Sequence, residues 1–333
     1  MTSRRIVLGA GLAALAAACS PRAEKAAPGA TRIRFATDWR AQAEHGGFYQ
    51  ALATGEYRKR GLDVSIVQGG PGVNVPQLLG SGAVEMGMGS NNFIVLNLVA
   101  GEEKVPVKAV AAFMQKDPQV LLAHPGQGIK SIADMKGRPI LLSTASREAF
   151  WVWLRARYGF EDSQIRSYNY SSAPFLADKR AIQQGYVSSE PYTIEKEAGF
   201  KPEVFLLADE GYPSYATMAL ASDRLINRNP QAIESFIAAS AAGWKSYLNG
   251  DPSAADALIL KDNPDMTPDL LANGRAMMKQ YGIVESGDAE TLGIGAMTDQ
   301  RWADFFKVAS DQGVYPKDLD YKQAYTLQFI KKA

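Results

Sequence analysis

The sequence predicts an α/β fold divided into two lobes. Short apolar runs bounded by turn residues alternate with longer segments of helical periodicity, which is the pattern of parallel βαβ units. This alternation begins a second time near the middle of the chain. The length of 333 residues also exceeds that of one ordinary domain, so two lobes are the natural expectation.

The first half of the chain contains four predicted strands with helices between them. The predicted strands are IRFAT (33–37), LDVSIVQ (62–68), VEMGMG (84–89) and VPVKAVAAF (105–113). The predicted helices are GGFYQALATGEYRKRG (46–61), a segment from about Asn74, and NNFIVLNLVAGE (91–102). In the first helix Phe48, Leu52 and Tyr57 share one face, and Gly61 stands where a C-terminal cap is expected. Parallel units of this kind place ligand sites beyond the carboxyl ends of their strands.

The second half repeats the pattern and then becomes mainly helical. Strands are predicted over 140–143, over IRSYNY (165–170) and over EVFLLADEG (203–211), and helices over REAFWVWLRARYG (147–159) and PFLADKRAIQQG (174–185). A return strand and four helical segments follow, from residue 216 onward. The predicted first lobe is therefore 32–123 plus 216–333, and the predicted second lobe is 124–215. Two crossings between lobes imply a hinge and a cleft that suits a small molecule.

The amino terminus predicts export. Arg4 and Arg5 precede an apolar run of 13 residues, 6–18, which is too short to span a bilayer and fits a signal peptide over 1–19. The arginine pair favours a twin-arginine signal, with a Sec signal as the alternative. Cys19 ends the run LAAAC and resembles a lipoprotein cleavage box, although Leu15 lies one place too far upstream. We expect either a lipid anchor on Cys19 or simple cleavage nearby, followed by a flexible tether over 20–31.

Composition excludes several classes of function. The 36 basic residues nearly balance the 35 acidic ones, so nothing favours nucleic-acid binding. Cys19 is the only cysteine and there are two histidines, so a metal site is not expected. No motif for a cofactor or for a Ser-His-Asp series is present, and the glycine-rich GGPG and LLGSG lack the Lys-Ser/Thr of a phosphate-binding loop. The sequence therefore predicts an exported, near-neutral, monomeric protein without a cofactor.

Four segments in order resemble a known family. DWRAQAEHGGFYQALATGEYRKRGLDV, GGPGVN, LLGSGAVEMGMGS and SIADMKGRPI are similar to the solute-binding proteins of bacterial ABC importers. They most resemble the SsuA/THI5-like branch, which holds aromatic sulfonate binders, thiamine-pyrimidine precursor binders and eukaryotic thiamine-pyrimidine synthases. The resemblance covers nearly the whole mature chain. It implies a two-lobed periplasmic binding protein fold of type II, a location in the periplasm, and a membrane permease with its ATPase as partners.

The same resemblance identifies candidate ligand residues. In the family an Asn/Asp-Trp pair ends the first strand and a histidine opens the next helix, and Asp38, Trp39 and His45 match that arrangement, with Tyr49 one helical turn later. The segment GYVSSEPY resembles the one from which an acidic residue faces the ligand, and Glu190 is the matching position.

The chemistry of a flat heteroaromatic ligand completes the set. Such a ligand needs ring faces to stack on, each worth about 0.5–1.5 kcal/mol beyond area burial, and a few polar groups at its edge. We expect Trp39 and Tyr49, with Tyr192 or Tyr215 from the other lobe, to supply the faces, and Glu190 to accept hydrogen bonds from an exocyclic amine. The further polar candidates follow predicted strand ends or open a helix, and they are Asn91, Asn92, Ser143 and Thr144.

Several alternatives remain open at this level. Trp39 can instead fill the core between the lobes, Glu190 can cap a turn, and His45 can serve either as a polar edge contact or as a hydrogen-bonding group at the helix start. The expected ligand is similar to a thiamine-pyrimidine precursor, with a flavin or an organic sulfonate as alternatives.

An enzyme is the remote alternative. The pyrimidine synthases that the chain resembles consume the histidine matching His45, use a cysteine-rich run for iron chemistry, and hold pyridoxal on a lysine ahead of the tryptophan. Here the matching segments read EGYPSYATMA and IRFATDW, without cysteine or lysine. These departures, together with export, favour a binding protein over a catalyst.

Overall fold

The structure, a computed structural model of the chain, describes residues 29–102 and 105–330. The predicted signal peptide, Cys19 and residues 20–28 of the predicted tether lie outside the described residues. Within the described part, ten strands form two five-stranded sheets. The strands are β1 (Thr31–Ala36), β2 (Leu62–Val67), β3 (Met86–Asn91), β4 (Val107–Met114), β5 (Gln119–Ala123), β6 (Ile140–Leu142), β7 (Ile165–Ser167), β8 (Ile182–Tyr186), β9 (Glu203–Leu206) and β10 (Ala216–Ser222).

Each sheet consists of parallel strands with one antiparallel member. The first sheet has the order β2-β1-β3-β10-β4, and β10 runs antiparallel to both of its neighbours. The second sheet has the order β7-β6-β8-β5-β9, and β5 runs antiparallel to both of its neighbours. The antiparallel strands β5 and β10 are the ones that follow a passage of the chain from one sheet to the other. The predicted two-lobed α/β architecture with parallel-rich sheets is confirmed.

Helices cover the sheets and form most of the carboxyl-terminal third. Many begin at a side-chain cap, as α2 does at Asn74, whose oxygen accepts from the backbone N–H of Gln77 at 3.0 Å. The helices are α1 (Gly46–Ala53), α2 (Val75–Ser81), α3 (Asn92–Ala100), α4 (Thr144–Arg147), α5 (Phe150–Tyr158), α6 (Ala173–Ala177), α7 (Glu190–Ala198), α8 (Asp223–Arg228), α9 (Pro230–Asn249), α10 (Ser253–Asp262), α11 (Pro268–Gln280), α12 (Ala289–Leu292) and α13 (Asp299–Asp311).

Three predicted segments are corrected by the structure. The predicted helix 174–185 is only the short α6, and its second half is the central strand β8. The two glutamines give this segment the pattern of a polar helix face, but both are buried in the structure. Gln183 donates to the Ser172 hydroxyl, and Gln184 accepts from the backbone N–H of Ser143. The predicted strand 165–170 ends at Ser167, and the predicted helix 46–61 ends at Ala53 before a separate 3₁₀ turn.

The passages between the sheets bear on the lobe boundaries. The chain crosses first over residues 115–118, from β4 to β5, and returns over residues 207–215, from β9 to β10. We call these segments the first crossing and the second crossing. The division into lobes stays a proposal, and because β5 pairs only within the second sheet, we now draw the first boundary at residues 115–118 rather than after residue 123.

The long helix α9 packs against α1, and both helices contact the first sheet. The two helices approach so closely that a Cβ atom on Gly243 would lie 2.2 Å from the carbonyl oxygen of Gly47. Around this contact, Phe48 packs on Phe35, Phe113 and Trp244. Across the described ranges, every helix is too short or too polar to cross a bilayer.

Candidate functional site

Residues just beyond the carboxyl end of β1 form one side of the candidate site. Asp38 is half-buried, and its carboxylate accepts a short hydrogen bond from the Ser90 hydroxyl at the end of β3. His45 is buried at the start of α1, with Nε2 3.6 Å from Oδ1 of Asp38. The half-buried Trp39 follows Asp38. The ends of two parallel strands thus bring a carboxylate, an imidazole and an indole together, where such sheets bind ligands.

The second sheet supplies the opposite side. Tyr168 and Tyr170 follow the end of β7, and their ring centroids are 5.4 Å apart. Glu190 begins α7, where Oε2 accepts from the backbone N–H of Tyr186 at 2.8 Å and Oε1 accepts from the Tyr168 hydroxyl at 3.3 Å. Two donors on the side of the second sheet therefore hold this carboxylate in place.

The two sides touch at an aromatic and a polar contact. The ring of Trp39 lies against that of Tyr170, with centroids 5.0 Å apart and planes inclined by 43°. The Ser188 hydroxyl donates a short hydrogen bond to the buried carboxylate of Glu44, which precedes His45. We name this group the cleft cluster, which comprises Asp38, Trp39, Glu44, His45, Tyr168, Tyr170, Ser188 and Glu190.

The cleft cluster is rich in carboxylates. Burial raises the pKa of Glu190, and the negative charge of Glu44 raises it further, while hydrogen bonds from Tyr186 and Tyr168 oppose the shift. Burial also raises the pKa of Tyr186 well above its usual value, and the negative charges of Asp117, Asp38, Glu44 and Glu190 raise it further. Three of these carboxylates, Asp38, Glu44 and Glu190, belong to the cleft cluster. Such a site favours a ligand that offers hydrogen-bond donors or a positive charge.

Two predicted aromatic residues have other surroundings. Tyr49 is buried, and its hydroxyl donates to Asp262 of α10 at 2.9 Å. Tyr215 is also buried, lies in the second crossing and donates to Asp288, while Thr298 donates to its hydroxyl from the backbone at 3.0 Å. Neither ring contacts the cleft cluster in the described contacts. Tyr215 also precedes a strand of the first sheet, so it does not reach the site from the second sheet.

The predicted polar residues at strand ends mainly serve the backbone. Asn91 caps α3 by accepting from the N–H of Phe93 at 3.1 Å. Asn92 is buried and accepts from the N–H of Tyr215 at 2.9 Å, while its amide nitrogen has no partner among the described residues. Ser143 caps α4 and donates its backbone N–H to Gln184 at 2.6 Å.

The last two predicted residues are more accessible. Thr144 is exposed at the start of α4, which has four residues and is separate from α5. Tyr192 is half-buried on α7, and the ammonium of Lys196 lies 5.1 Å from its ring centroid. Neither takes part in the cleft cluster.

Sequence reasoning named Glu190 but missed the other residues that the side of the second sheet contributes. The sequence pattern places Tyr168 and Tyr170 within the predicted strand 165–170, although residues at the end of a parallel strand are a signal for a site. Tyr170 is exposed and has a φ of 65°, a left-handed conformation that is uncommon for a bulky residue and typical of functional segments. Glu44 was overlooked because an acidic residue beside a helix start usually faces solvent.

The contact between Trp39 and Tyr170 is expected to persist in solution. In a double-mutant cycle of Trp39→Ala and Tyr170→Ala, we expect an interaction energy of about 0.5 kcal/mol, at the low end for aromatic pairs because Tyr170 is exposed. Unfolding by urea is the measurement. The buried stacked pair Trp302 and Tyr325, with centroids 4.6 Å apart, serves as control and should couple more strongly. Purely additive effects of the first pair would show that the two sides do not meet.

No set of three or more metal-binding side chains of the Cys, His, Asp and Glu type lies together within residues 29–102 and 105–330. The chemistry of the cleft cluster is instead that of stacking and hydrogen bonding.

The sequence matches one family model and is similar to several known proteins. A family model described as "NMT1/THI5 like" matches residues 42–255. The chain is similar to the riboflavin-binding protein RibY of Chloroflexus aurantiacus, with 25% identity over 239 residues that cover 70% of this chain and 67% of RibY. It is also similar to the formylaminopyrimidine-binding protein of Halalkalibacterium halodurans, with 22% identity over 228 residues that cover 67% and 68% of the two chains.

The chain is also similar to a synthase and to a further binding protein. The 4-amino-5-hydroxymethyl-2-methylpyrimidine phosphate synthase THI11 of Saccharomyces cerevisiae is 23% identical over 257 residues, which cover 69% of this chain and 74% of the synthase. The crystal structure of the periplasmic aliphatic sulphonate binding protein SsuA from Escherichia coli superposes with a TM-score of 0.67 at 16% identity, covering 91% of this chain and 95% of SsuA. That likeness establishes the periplasmic binding protein fold.

Proposed function

This chain belongs to the NMT1/THI5-like family, and we propose that it is the solute-binding component of an ABC importer that captures a small heteroaromatic molecule between its two lobes. The observation that carries the proposal is the aromatic pair Trp39 and Tyr170, which meets across the two sheets beside carboxylates from both. The two rings touch at a centroid distance of 5.0 Å, so they must separate, as the lobes open, before a ligand can enter. A flat ring held between them then gains two stacking faces and hydrogen-bond acceptors at its edge.

The charge of the cleft cluster supports an amine-bearing ring, similar to a thiamine-pyrimidine precursor. Glu190 can accept from an exocyclic amine, and a charge-assisted bond of this kind is about twice as strong as a neutral one. The relative that binds a formylaminopyrimidine makes this ligand class a natural candidate. A negatively charged sulfonate would instead meet Asp38, Glu44 and Glu190, whose negative charges oppose its binding.

A flavin is the second candidate. RibY, named for riboflavin binding, is 25% identical to this chain over 239 residues. The flavin ring system also stacks on aromatic side chains and carries an imide N–H that a carboxylate can accept. The two candidates therefore share the aromatic faces and differ in the size of the ring that the lobes must enclose.

We propose that the protein binds its ligand without turnover. The synthases in the family are enzymes, but this chain has a single cysteine and no lysine in IRFATDW, the segment ahead of Trp39. His45 lies buried beside Asp38, which suits a fixed hydrogen-bonding role.

The proposed setting is the periplasm. The similarity in fold to periplasmic binding proteins supports this location, and the signal-like amino terminus agrees with it. We propose that the chain works as a monomer, is held to the membrane through an acylated Cys19, and delivers its ligand to a permease driven by an ATPase.

Native mass spectrometry of the mature protein, purified without refolding, is the first test. We expect a bound small molecule, followed in calorimetry by binding of formylaminopyrimidine with a Kd of about 1 µM, which corresponds to about −8 kcal/mol. Riboflavin and an alkanesulfonate are the comparison ligands. Binding of riboflavin alone would keep the importer component and change the ligand. Binding of the sulfonate alone would contradict the role of the carboxylates, and a mass change on His45 would favour the enzyme.

A further inference from the structure

One arginine side chain joins both passages of the chain between the sheets. Arg301 lies near the start of α13, and its Nε donates to the carbonyl oxygen of Pro213 at 3.1 Å. Its Nη2 donates to the carbonyl of Ser214 at 3.2 Å and makes a short hydrogen bond to the carbonyl of Gln115. Pro213 and Ser214 belong to the second crossing and Gln115 to the first. A single guanidinium thus bridges two segments that lie about a hundred residues apart.

Neighbouring side chains hold Arg301 in place. Its guanidinium carbon lies 4.3 Å from the ring centroid of Tyr215, and the hydroxyl of that tyrosine is bound to Asp288 and Thr298. Burial lowers the pKa of Arg301, while the nearby Tyr215, Asp288 and Asp117 favour its charged form. The planar arrangement of guanidinium donors fixes the relative positions of the groups that it binds.

Further contacts hold the two crossings in place. The ammonium of Lys116 lies 2.6 Å from Oδ1 of Asp209, which pairs the first crossing with the second directly. The backbone N–H of Gln115 donates to the carbonyl of Ile283 at 2.7 Å, so the segment before α12 also holds the first crossing. Gln115, Asp117 and Ser214 are all buried.

We propose that Arg301 is a positioning residue that sets the hinge of the protein. By binding carbonyls of both crossings, it makes them move as one unit and limits the angle over which the second sheet can rotate relative to the first. The residues that the two sheets contribute to the cleft cluster then reach the same relative positions each time the lobes close. This inference rests on the proposed function for its biological meaning, but its geometry and its test do not require a ligand.

Hydrogen–deuterium exchange of the ligand-free protein tests the proposal. Arg301→Lys keeps the charge but replaces the planar donor group by one ammonium, so the bonds to the two crossings cannot all form. We expect amide exchange in peptides from the two crossings to become about tenfold faster, while peptides from the strands of both sheets keep their rates.

Arg275→Lys is the matched control. The guanidinium of Arg275 also lies over a tyrosine, 5.2 Å from the ring centroid of Tyr247, and is bound to Asp256, but it contacts neither crossing in the described contacts. We expect this variant to leave exchange in the crossings unchanged. Should Arg301→Lys fail to fold, Thr298→Ala replaces it, because it removes the hydroxyl that accepts from the Arg301 backbone N–H at 3.4 Å, and a smaller change in the same peptides is expected.

A distance measurement between the lobes supplies the second readout. Spin labels at Lys59→Cys and Lys201→Cys, in a Cys19→Ser background, report on the two lobes from side chains that are 62% and 80% exposed. We expect one narrow distance distribution in the parent and in Arg275→Lys, and a broader one in Arg301→Lys. The proposal is overturned if the Arg301→Lys protein shows neither faster exchange in the crossings nor a broader distribution than the control. Absence of ligand binding in every protein would instead count against the proposed function.

Discussion

Replacing Gly243 by alanine is expected to destabilise the protein by more than about 3 kcal/mol, although alanine is the better helix former by about 1 kcal/mol in an unpacked helix. The added Cβ would lie 2.2 Å from the carbonyl oxygen of Gly47 and 2.8 Å from the backbone nitrogen of Ala51. Both atoms belong to the backbone of α1, so the helix itself must shift. Thermal unfolding should show a melting temperature lower by roughly 6 °C or more.

A second glycine provides the control for this prediction. At Gly80 in α2, the added Cβ would lie 3.2 Å from a side-chain methyl of Val105, which can rotate away. We expect Gly80→Ala to change the free energy of unfolding by less than about 1 kcal/mol. A Gly243→Ala protein as stable as the parent would show that α1 and α9 are not in close contact. Since α1 follows directly on His45, that result would also weaken the described geometry of the site.

The alternation of strands and helices could be predicted because it rests on local pattern. Periodicity of two and of 3.6 residues identified β1 to β4 and the helices between them. The pattern failed at β8, where Gln183 and Gln184 are buried and satisfied by partners from other elements. Only the tertiary structure supplies those partners, so a local rule assigns such residues to solvent.

Most of the candidate site that could be predicted lies on the side of the first sheet, and on the opposite side Glu190 is the one predicted residue in the cleft cluster. Asp38, Trp39 and His45 lie within eight residues of one another in the sequence, and Tyr168 and Tyr170 connect them with Glu190 in the structure. Their role in ligand binding stays a prediction. Tyr170 lies 131 positions after Trp39, and its approach depends on how the sheets face each other. Tyr49 follows His45 by one turn of helix, but the packing of α10 draws its hydroxyl to Asp262.

Replacing Glu190 by glutamine is expected to weaken binding of an aminopyrimidine at least about tenfold without lowering stability. The carboxylate is worth more than a neutral amide to a bound amine, because hydrogen bonds to charged groups contribute about 1.5–3 kcal/mol. Burial raises the pKa of Glu190, so ionising this carboxyl group costs more free energy in the folded chain than in the unfolded chain. Glutamine removes that cost, so the free energy of unfolding should stay constant or rise. Calorimetric titration with formylaminopyrimidine and urea unfolding are the two measurements.

Glu85→Gln is the matched control, with the opposite expectation. Glu85 accepts from the backbone and the guanidinium of Arg34, at 2.7 Å and 2.6 Å, away from the cleft cluster. Burial alone would raise the pKa of Glu85, but the hydrogen bonds from Arg34 outweigh burial and lower it, so its ionised form stabilises the fold. We expect this variant to lose about 1 kcal/mol of stability and to bind the ligand unchanged. If Glu190→Gln instead loses stability and keeps its affinity, Glu190 is a turn cap and the polar edge of the ligand must be sought at Asp38 or Glu44.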